Sequence, residues 1–588
     1  MVLIVRVQIS VVIVRRVVGV KHISSHNLRR FIPIASWLPK YPQNFLRADI
    51  VSGITVWGVV VPAAMAYAEL AGLPPQAGLY AAFAGMFAYA IFATSRHLKV
   101  TASSTVAVMS AAIVSDLSAG AGPERFAALS AMLAITVGGI ILLAGVVKVG
   151  FISDFLSKPV ITGFLFGVSL EIIVGQAPKL FGLSRGPGGI FGQASFLILG
   201  LGKTNVWTLG IGAGSIFLIF LMKRYARRIP SGLVALLVGI LITALFRLDQ
   251  RGVSVVGSIP MTLPSPTLPL VSISDIPLLI ASAGGLVFLA VGESVGTARA
   301  FAAKHGYEVD PDQELIALGA ANLSAGLFQG FTVDASLSST ATAEEAGAKT
   351  QVSTIVSVIM IIITIAVLAP VFSQLPNAVL GAIIIYSVLG LLDLAALRRF
   401  YREVRPDFWL SVIALFGVIL TGVLAGLLIA VFLSVILVVY RVSRPYVVEL
   451  GGIPSHPGEY SDLERHPENQ RIPGLLIVRL DAPLFFANAN VARTQILKLV
   501  AASDAPPKGV LFDISSSSTL DISSIDMLSN LLESLETKQV EVSLAQPRGA
   551  VRDKLRVSGL IDQIGENHIY LSVDIGVRDF LSRHPEAN

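Results

Sequence analysis

The chain contains no cysteine, and charged residues make up only 14% of its 588 residues. Without cysteine it forms no disulfide bond and offers no thiol nucleophile or thiolate metal ligand. Its eight histidines are scattered and lack the paired spacing of a metal site. It also lacks a nucleophile–base pattern and a phosphate-binding glycine loop. We therefore expect a protein that is not an enzyme, binds no cofactor and is not driven by ATP.

Hydrophobic residues account for 54% of the chain, which also contains 52 glycines and 30 prolines. A soluble protein carries about 25% charged residues, and glycine and proline are more frequent in membrane helices than in soluble ones. The composition therefore predicts a polytopic α-helical membrane protein. Its net charge of +6 is typical of a basic cytoplasmic surface on a membrane protein and does not indicate nucleic acid binding.

Twelve stretches are long and apolar enough to cross a lipid bilayer, for which about 20 residues are needed. They cover residues 50–69, 77–95, 126–148, 159–178, 205–222, 232–247, 277–298, 313–330, 351–373, 377–393, 407–423 and 425–442. Two shorter segments, near 102–117 and 335–346, are richer in small and polar residues. Counting both gives fourteen segments.

Three basic clusters support this count. They lie at 223–228, 398–405 and 441–444, after the sixth, twelfth and fourteenth segments. With a cytoplasmic N-terminus every even-numbered segment ends in the cytoplasm, so all three clusters obey the positive-inside rule. We therefore expect a multi-pass protein of the cell membrane (inner or plasma) with both termini cytoplasmic.

The pattern divides the chain into four regions. Residues 1–48 are predicted to be a cytoplasmic N-terminal segment, 49–445 the transmembrane domain and 446–470 a polar linker. In residues 471–588 short β-type runs alternate with helical patterns, which predicts a small cytoplasmic α/β domain.

The two polar segments share a motif. Ser103-Ser104-Thr105 occurs in the first half of the chain and Ser338-Ser339-Thr340 in the second. Transporters pair two discontinuous helices from an inverted repeat near the membrane midplane. Hydroxyls and unpaired N–H groups at such helix starts would bind an oxyanion. The alternative is two small-residue helix contacts whose hydroxyls bond to local carbonyls.

Glu293 is the strongest acidic candidate, because a carboxyl group within a membrane span is costly without a function. It could carry a proton. Thr297 follows one helical turn later on the same face, so the pair could instead hold Na⁺. Asp334 precedes the second polar segment and either takes part in coupling or caps that helix. Glu69 could be functional or lie at the membrane interface.

Several long motifs, in order, resemble the sulfate permease (SulP) family, and the C-terminal region resembles a STAS domain. The motifs are "VPAAMAYAELAGLPPQAGLYAAF" (61–83), "TSRHL" (94–98), "GESVGTARAFAAKHGYEVDPDQELIALGAAN" (292–322), "AGAKTQ" (346–351), "DAPLFFANA" (481–489) and "LDISSIDML" (520–528). The resemblance implies two seven-segment inverted repeats divided into a core domain and a gate domain. It also implies elevator-type transport of an inorganic anion, usually by a homodimer in the lipid bilayer.

The family's anion site lies between the first, third, eighth and tenth segments. On this sequence the substrate positions are Tyr67, Ser103, Ser104, Ser336, Ser338 and Ser339. Glu293, Thr297 and Asp334 are the candidates for the coupling ion, either H⁺ or Na⁺. The alternative for Tyr67 is ordinary core packing.

Two departures from the family bear on the mechanism. Ala63 follows Pro62 where many relatives carry Gln, and Ser339 stands where animal members carry Arg. Losing that fixed positive charge favours a cation-coupled transporter over a channel or a voltage sensor. We expect H⁺-coupled sulfate uptake, with Na⁺-coupled bicarbonate symport or dicarboxylate transport as the alternatives.

A different function class is a membrane-tethered STAS protein that only senses a ligand. A sensor would not need two symmetry-related broken helices and a buried acid. In the STAS loop Asp521-Ile522-Ser523-Ser524, isoleucine occupies the position of the phosphorylated serine of related domains. A structural loop is therefore favoured over phosphorylation at Ser523 or Ser524.

Overall fold

The structure is a computed structural model. It describes residues 32–118, 122–150, 157–184, 186, 189–226, 229–257, 262–503 and 506–585. The chain divides into two compact units, Met1–Ser434 and Val435–Asn588. Most of the predicted N-terminal segment, and Arg227 and Arg228 of the first basic cluster, lie outside the described residues.

Fourteen helices correspond in order to the fourteen predicted segments. They are α1 Leu46–Leu70, α2 Pro75–Phe92, α3 Ser104–Leu117, α4 Pro123–Val147, α5 Lys158–Phe181, α6 Val206–Tyr225, α7 Ser231–Phe246, α8 Asp275–Lys304, α9 Pro311–Leu327, α10 Leu337–Glu345, α11 Val352–Ile363, α12 Asn377–Leu389, α13 Arg405–Thr421 and α14 Val423–Ser443. Short helices Ile34–Trp37, Ile190–Gly200, Ala369–Phe372 and Leu394–Glu403 accompany them. Among the described residues, six helices are long and apolar enough to cross a membrane.

Helix starts follow local sequence signals. Pro75, Pro123 and Pro311 occupy the first positions of α2, α4 and α9, where the missing proline N–H costs nothing. Asp310 caps α9 by accepting hydrogen bonds from the backbone N–H groups of Asp312 and Gln313. The two polar segments give short helices, since α3 has 14 residues and α10 has only 9, the fewest of the fourteen.

The helices of the first unit pack in two groups. In one, α9 packs against α2 and α4, and α11 packs against α1 and α2. In the other, α5 packs against α12 and α13, and α6 packs against α12. Glycine permits close approach in the second group, since a Cβ atom at Gly163 would lie 1.9 Å from the carbonyl oxygen of Ser411.

The second unit contains a six-stranded sheet flanked by helices. The first unit contains the short strands β1 Val100–Thr101 and β2 Asp334–Ala335. The strands of the sheet in the second unit are β3 Val447–Gly452, β4 Tyr460–Asp462, β5 Leu475–Leu480, β6 Gly509–Asp513, β7 Glu541–Ala545 and β8 Ile569–Tyr570. Their order is β4-β3-β5-β6-β7-β8, with β5 to β8 parallel. The helices are α15 Ala489–Ala502, α16 Ile522–Glu536, α17 Gly549–Val557, α18 Leu560–Ile564 and α19 Val573–Arg583.

Both faces of this sheet are covered. Leu476 and Val478 join the apolar cluster formed with α15 to α18, whereas Leu475 and Ile477 join the cluster formed with α19. The division follows from the alternation of side chains along a strand. The predicted fold class, a polytopic α-helical membrane protein with a C-terminal α/β domain, is confirmed.

Candidate functional site

A short antiparallel ribbon joins the two polar segments. It consists of β1, Val100–Thr101, and β2, Asp334–Ala335. Val100 lies opposite Ala335, and Thr101 lies opposite Asp334. The backbone N–H of Ser336 extends the pairing by donating to the carbonyl oxygen of Lys99 at 2.9 Å. Because α3 follows β1 and α10 follows β2, the ribbon places the starts of both half-helices in one region.

Serine side chains cap both half-helices. The Ser103 Oγ accepts from the N–H of Val106 at 3.5 Å, and the Ser336 Oγ accepts from the N–H of Ser339 at 3.3 Å. An α-helix leaves its first four N–H groups without intrahelical partners, and a cap of this kind satisfies one of them. The remaining N–H groups carry the positive end of the helix dipole. Two such ends beside one ribbon form a suitable environment for an oxyanion.

The predicted hydroxyls differ in accessibility. Ser338 is exposed and Ser103 is half-buried, whereas Ser104, Ser336 and Ser339 are buried. Ser336 also donates from its Oγ to the Oγ of Ser339 at 2.8 Å. The Ser103 and Ser338 hydroxyls are therefore the ones that a substrate could reach, while Ser336 and Ser339 stabilise the start of α10.

A carboxyl pair lies beside the ribbon. Asp334 is fully buried. Within the described part of the chain, no donor lies at hydrogen-bonding distance and angle from either of its carboxyl oxygens. The Glu293 carboxyl and the Ser103 hydroxyl are its neighbours. Tyr67 is buried in α1, with its hydroxyl near Ser387 and the Asp334 carboxyl. The structure thus brings Tyr67, Ser103, Glu293 and Asp334 together.

Ser294 is a site residue that sequence reasoning missed. Its Oγ accepts from the backbone N–H of Ala335 at 3.0 Å, which ties α8 to β2. Its position directly after Glu293 was the available signal. Thr297 is half-buried one turn further along α8, and its hydroxyl has no hydrogen bond to the other predicted site residues that the structure describes.

Two further charged side chains, Glu69 and Lys99, connect neighbouring parts of the fold. Glu69, at the end of α1, forms an ion pair of 2.5 Å with Lys179 of α5. Lys99, which sequence reasoning missed, is fully buried next to β1. Its Nζ donates to the hydroxyls of Ser353 at 2.8 Å and Thr354 at 2.6 Å. Lys99 therefore anchors the ribbon to α11.

A second polar cluster, also missed, orders the loop before β1. Buried Glu314 accepts hydrogen bonds from the backbone N–H groups of Thr94 at 2.8 Å and Ser95 at 2.7 Å.

At the end of α10, Glu344 pairs with Lys304 at 2.9 Å and His305 at 2.5 Å. Glu344 thus links the C-terminal ends of α8 and α10, away from the start of α10.

The STAS-like loop is organised by Asp521. Its carboxyl caps α16 by accepting from the Ser524 N–H at 2.8 Å, and it also accepts from the Phe486 N–H at 2.7 Å. Burial alone would raise the pKa of Asp521, but these hydrogen bonds and that of the Ser524 hydroxyl outweigh it and lower the pKa. Ser524 is fully buried, whereas Ser523 is exposed.

Two half-helix N-termini, reachable hydroxyls and a carboxyl pair of buried Asp334 and half-buried Glu293 inside a helical membrane unit define a membrane transporter. The model of the sulfate permease family matches residues 46–414, and that of the STAS domain matches residues 466–575. The chain belongs to the sulfate permease family and is an anion transporter with a C-terminal STAS domain. It is not an enzyme.

Relatives match over nearly the whole chain. A probable sulfate transporter of Mycobacterium tuberculosis is 35% identical over 93% of this chain and 99% of its own. The probable sulfate transporter 3.4 of Arabidopsis thaliana is 30% identical over 94% of this chain and 88% of its own.

Solved structures share the fold. The murine Solute Carrier 26 family member A9 anion transporter, in the inward-facing state, has a TM-score of 0.86 and 24% identity, over 97% of this chain and 98% of its own. The transmembrane domain of a cyanobacterial bicarbonate transporter, BicA, has a TM-score of 0.59 and 21% identity, over 67% of this chain and 98% of its own. Their fold is consistent with two inverted repeats.

Proposed function

We propose that this chain is a secondary active transporter that takes up sulfate together with protons. The observation that carries the proposal is the ribbon, which holds two half-helix N-termini beside the carboxyl pair Glu293 and Asp334. The names of the relatives from Mycobacterium tuberculosis and Arabidopsis thaliana support sulfate as the substrate.

In this proposal the anion is held by hydrogen bonds and dipoles. Sulfate oxygens accept from the Ser103 and Ser338 hydroxyls and from N–H groups in the first turns of α3 and α10. Tyr67 forms a wall of the pocket, and buried Ser104, Ser336 and Ser339 shape the helix starts. The predicted site residues include no basic side chain, so the helix N-termini supply the positive potential.

Protons provide the rest of the charge compensation. Two neighbouring carboxylates repel each other, which favours a proton on one of them. A dianion beside Glu293 and Asp334 strengthens this preference, because every added negative charge stabilises the protonated form. Proton binding therefore favours sulfate binding, and by reciprocity sulfate binding favours protonation.

The two helix groups supply the moving parts of an elevator. The group of α1–α4 and α8–α11 forms the core that carries the ribbon, and α5–α7 with α12–α14 forms the gate. Core–gate sliding would expose the site alternately to each side of the membrane. We place both termini in the cytoplasm of a cell-membrane protein, and we propose a homodimer as the assembly.

Na⁺-coupled bicarbonate uptake is the second candidate. It is favoured by the two carboxyl oxygens of Asp334 that lack partners among the described residues, because hard cations prefer oxygen ligands. In that case Glu293, Asp334 and Thr297 would bind the cation and not a proton.

Uptake of radiolabelled sulfate into proteoliposomes separates the two candidates. With an inward proton gradient and no Na⁺, we expect sulfate to accumulate and an uncoupler to abolish the accumulation. Protein-free liposomes are the control. No sulfate uptake, together with bicarbonate uptake that requires a Na⁺ gradient, would overturn the proposal in favour of the second candidate.

A further inference from the structure

An ion pair joins the end of α1 to the end of α5. The Glu69 Oε2 lies 2.5 Å from the Lys179 Nζ, and the two side chains are only 14% and 28% exposed. Glu69 precedes the last residue of α1, and Lys179 lies in the last turn of α5. In the proposed function α1 belongs to the core and α5 to the gate, so this pair connects the two parts that slide past each other.

Each partner is held in place by its own group of helices. On the core side α1 packs closely on α2, since a Cβ atom at Gly78 would lie 1.9 Å from the carbonyl oxygen of Ala64. On the gate side Lys179 packs over Gly381 of α12, where an added Cβ atom would lie 3.3 Å from the Lys179 Cβ. Small residues permit such close approach between membrane helices. The two groups therefore present the carboxylate and the ammonium group at defined positions.

The pair lies on the boundary between the two groups. α1 packs against α7 and α12 of the gate as well as against α2 and α11 of the core. Two residues before Glu69, the Tyr67 hydroxyl is a neighbour of Ser387 in α12. The end of α1 thus contacts the gate at two points, and both contacts must change when the core slides.

Separating the pair has an energetic cost. Exposed ion pairs contribute little to stability, but a charge withdrawn from solvent inside a membrane unit is costly without its partner. The pair therefore stabilises the conformation in which α1 and α5 end side by side. Arg125 and Asp275, 3.3 Å apart, differ in this respect, because they connect α4 with α8 inside the proposed core and stay together during sliding.

We propose that Glu69 and Lys179 form a latch that holds the core against the gate in this conformation and opens in each transport cycle. The latch rests on the proposed function because it requires the elevator movement, but it does not depend on which anion is carried. In the proposed topology α1 and α5 both end on the outer side of the membrane, so the latch lies on that side. It controls the conformational step and not the affinity for substrate.

Cross-linking tests the latch directly, because the chain has no cysteine of its own. The double variant Glu69→Cys with Lys179→Cys is treated with a short, cleavable bifunctional thiol reagent, which spans more than a disulfide does. We expect the bridged protein to exchange sulfate in proteoliposomes roughly tenfold or more slowly, since conformational steps limit turnover. Equilibrium sulfate binding should be retained, and cleavage of the bridge should restore exchange.

Arg125→Cys with Asp275→Cys is the matched control. Its bridge joins two core helices near their starts, so it should leave the exchange rate unchanged. Mass spectrometry of the linked peptides measures the yield of bridging in both double variants.

A charge exchange tests the ion pair itself. Glu69→Gln and Lys179→Gln each leave a half-buried charge without its partner, so we expect a lower thermal unfolding temperature in detergent for both. Glu69→Lys combined with Lys179→Glu restores opposite charges at the same two positions and should recover most of the loss.

Three results would overturn the latch. They are bridged protein that exchanges sulfate as fast as the bridged control, folded double-cysteine protein that does not bridge, and exchanged charges that recover no stability. A wild type that exchanges bicarbonate and not sulfate would overturn only the proposed substrate, and the same comparison with bicarbonate then decides the latch. A wild type that moves neither anion would overturn the proposed function and, with it, the latch.

Discussion

At the scale of single residues, the proposed mechanism depends on Glu293 and Asp334. The two carboxyl groups are neighbours, although Glu293 lies within the long helix α8 and Asp334 lies in the ribbon before α10. Their proximity links a proton to the anion, because the two carboxyl groups and the substrate all carry negative charge in their ionised forms. Tyr67 and Ser103 lie beside the same pair, so the proposed mechanism puts protonation and substrate binding in one place.

Replacing Glu293 with glutamine should separate coupling from binding. Glu293→Gln keeps the shape of the side chain and removes the titrating group. We expect it to abolish sulfate accumulation driven by a pH gradient while retaining sulfate exchange. Both activities are measured in proteoliposomes, with Glu345→Gln, at an exposed acid at the end of α10, as the control. Accumulation with an unchanged pH profile would remove Glu293 from the coupling mechanism.

At the scale of elements, the ribbon determines where the two half-helices begin. It is only two residues long on each side, so contacts from outside must stabilise it. Ser294 provides one from α8, and Lys99 provides another through α11. In the proposed elevator these contacts make the ribbon move as one body with α8 and α11.

Ser294→Ala should loosen the ribbon. The substitution leaves the buried N–H of Ala335 without its acceptor, which costs about 1–3 kcal/mol. We expect a lower thermal unfolding temperature in detergent. Ser195→Ala is the control, because Ser195 is exposed and its hydroxyl bonds only to the nearby carbonyl of Gly192 at 2.8 Å. Equal unfolding temperatures for the two variants would show that Ser294 does not stabilise the ribbon.

Ser338→Leu should block substrate binding. Leucine fills space at the start of α10 and removes an exposed hydroxyl donor, so we expect sulfate affinity to fall by roughly tenfold or more, equivalent to about 1.4 kcal/mol. Equilibrium binding of radiolabelled sulfate measures the change. Thr342→Val, one turn further on, removes a hydroxyl that donates within α10 to the carbonyl of Ser338 and should preserve affinity. If Ser338→Leu binds sulfate normally, the site lies elsewhere.

Sequence patterns predicted the helices well because apolar length dominates in a membrane. The shared serine motifs also indicated the two half-helices, and Glu293 was singled out as a costly acid within a span, with Asp334 as a coupling candidate that could instead cap the second polar helix. Sequence could not predict that Val100 pairs with Ala335, because register between distant two-residue strands leaves no periodic signal. Lys99 and Glu314 were missed for a related reason, since their partners lie more than 200 positions away.

At the scale of the whole molecule, the predicted transport site and the STAS domain lie in different units of the chain. The site residues all belong to the first unit, Met1–Ser434, and the six-stranded sheet belongs entirely to the second. Each unit has its own apolar core. Substrate choice is therefore expected to depend on the first unit alone.

Deleting residues 448–588 tests this division. We expect lower yield in the membrane or a lower transport rate, with the same ranking of competing anions. Inhibition of sulfate uptake by bicarbonate and by dicarboxylates, measured in proteoliposomes at matched protein content, gives that ranking. A changed ranking would assign part of the specificity to the STAS domain.

The central claim is that one proton joins the carboxyl pair when sulfate binds. The most direct measurement adds sulfate to the purified full-length protein in weakly buffered solution with a pH-sensitive dye. The wild type should take up protons in proportion to bound sulfate, and Glu293→Gln should bind sulfate with little or no proton uptake. Sulfate binding to the wild type without any proton uptake would contradict the account.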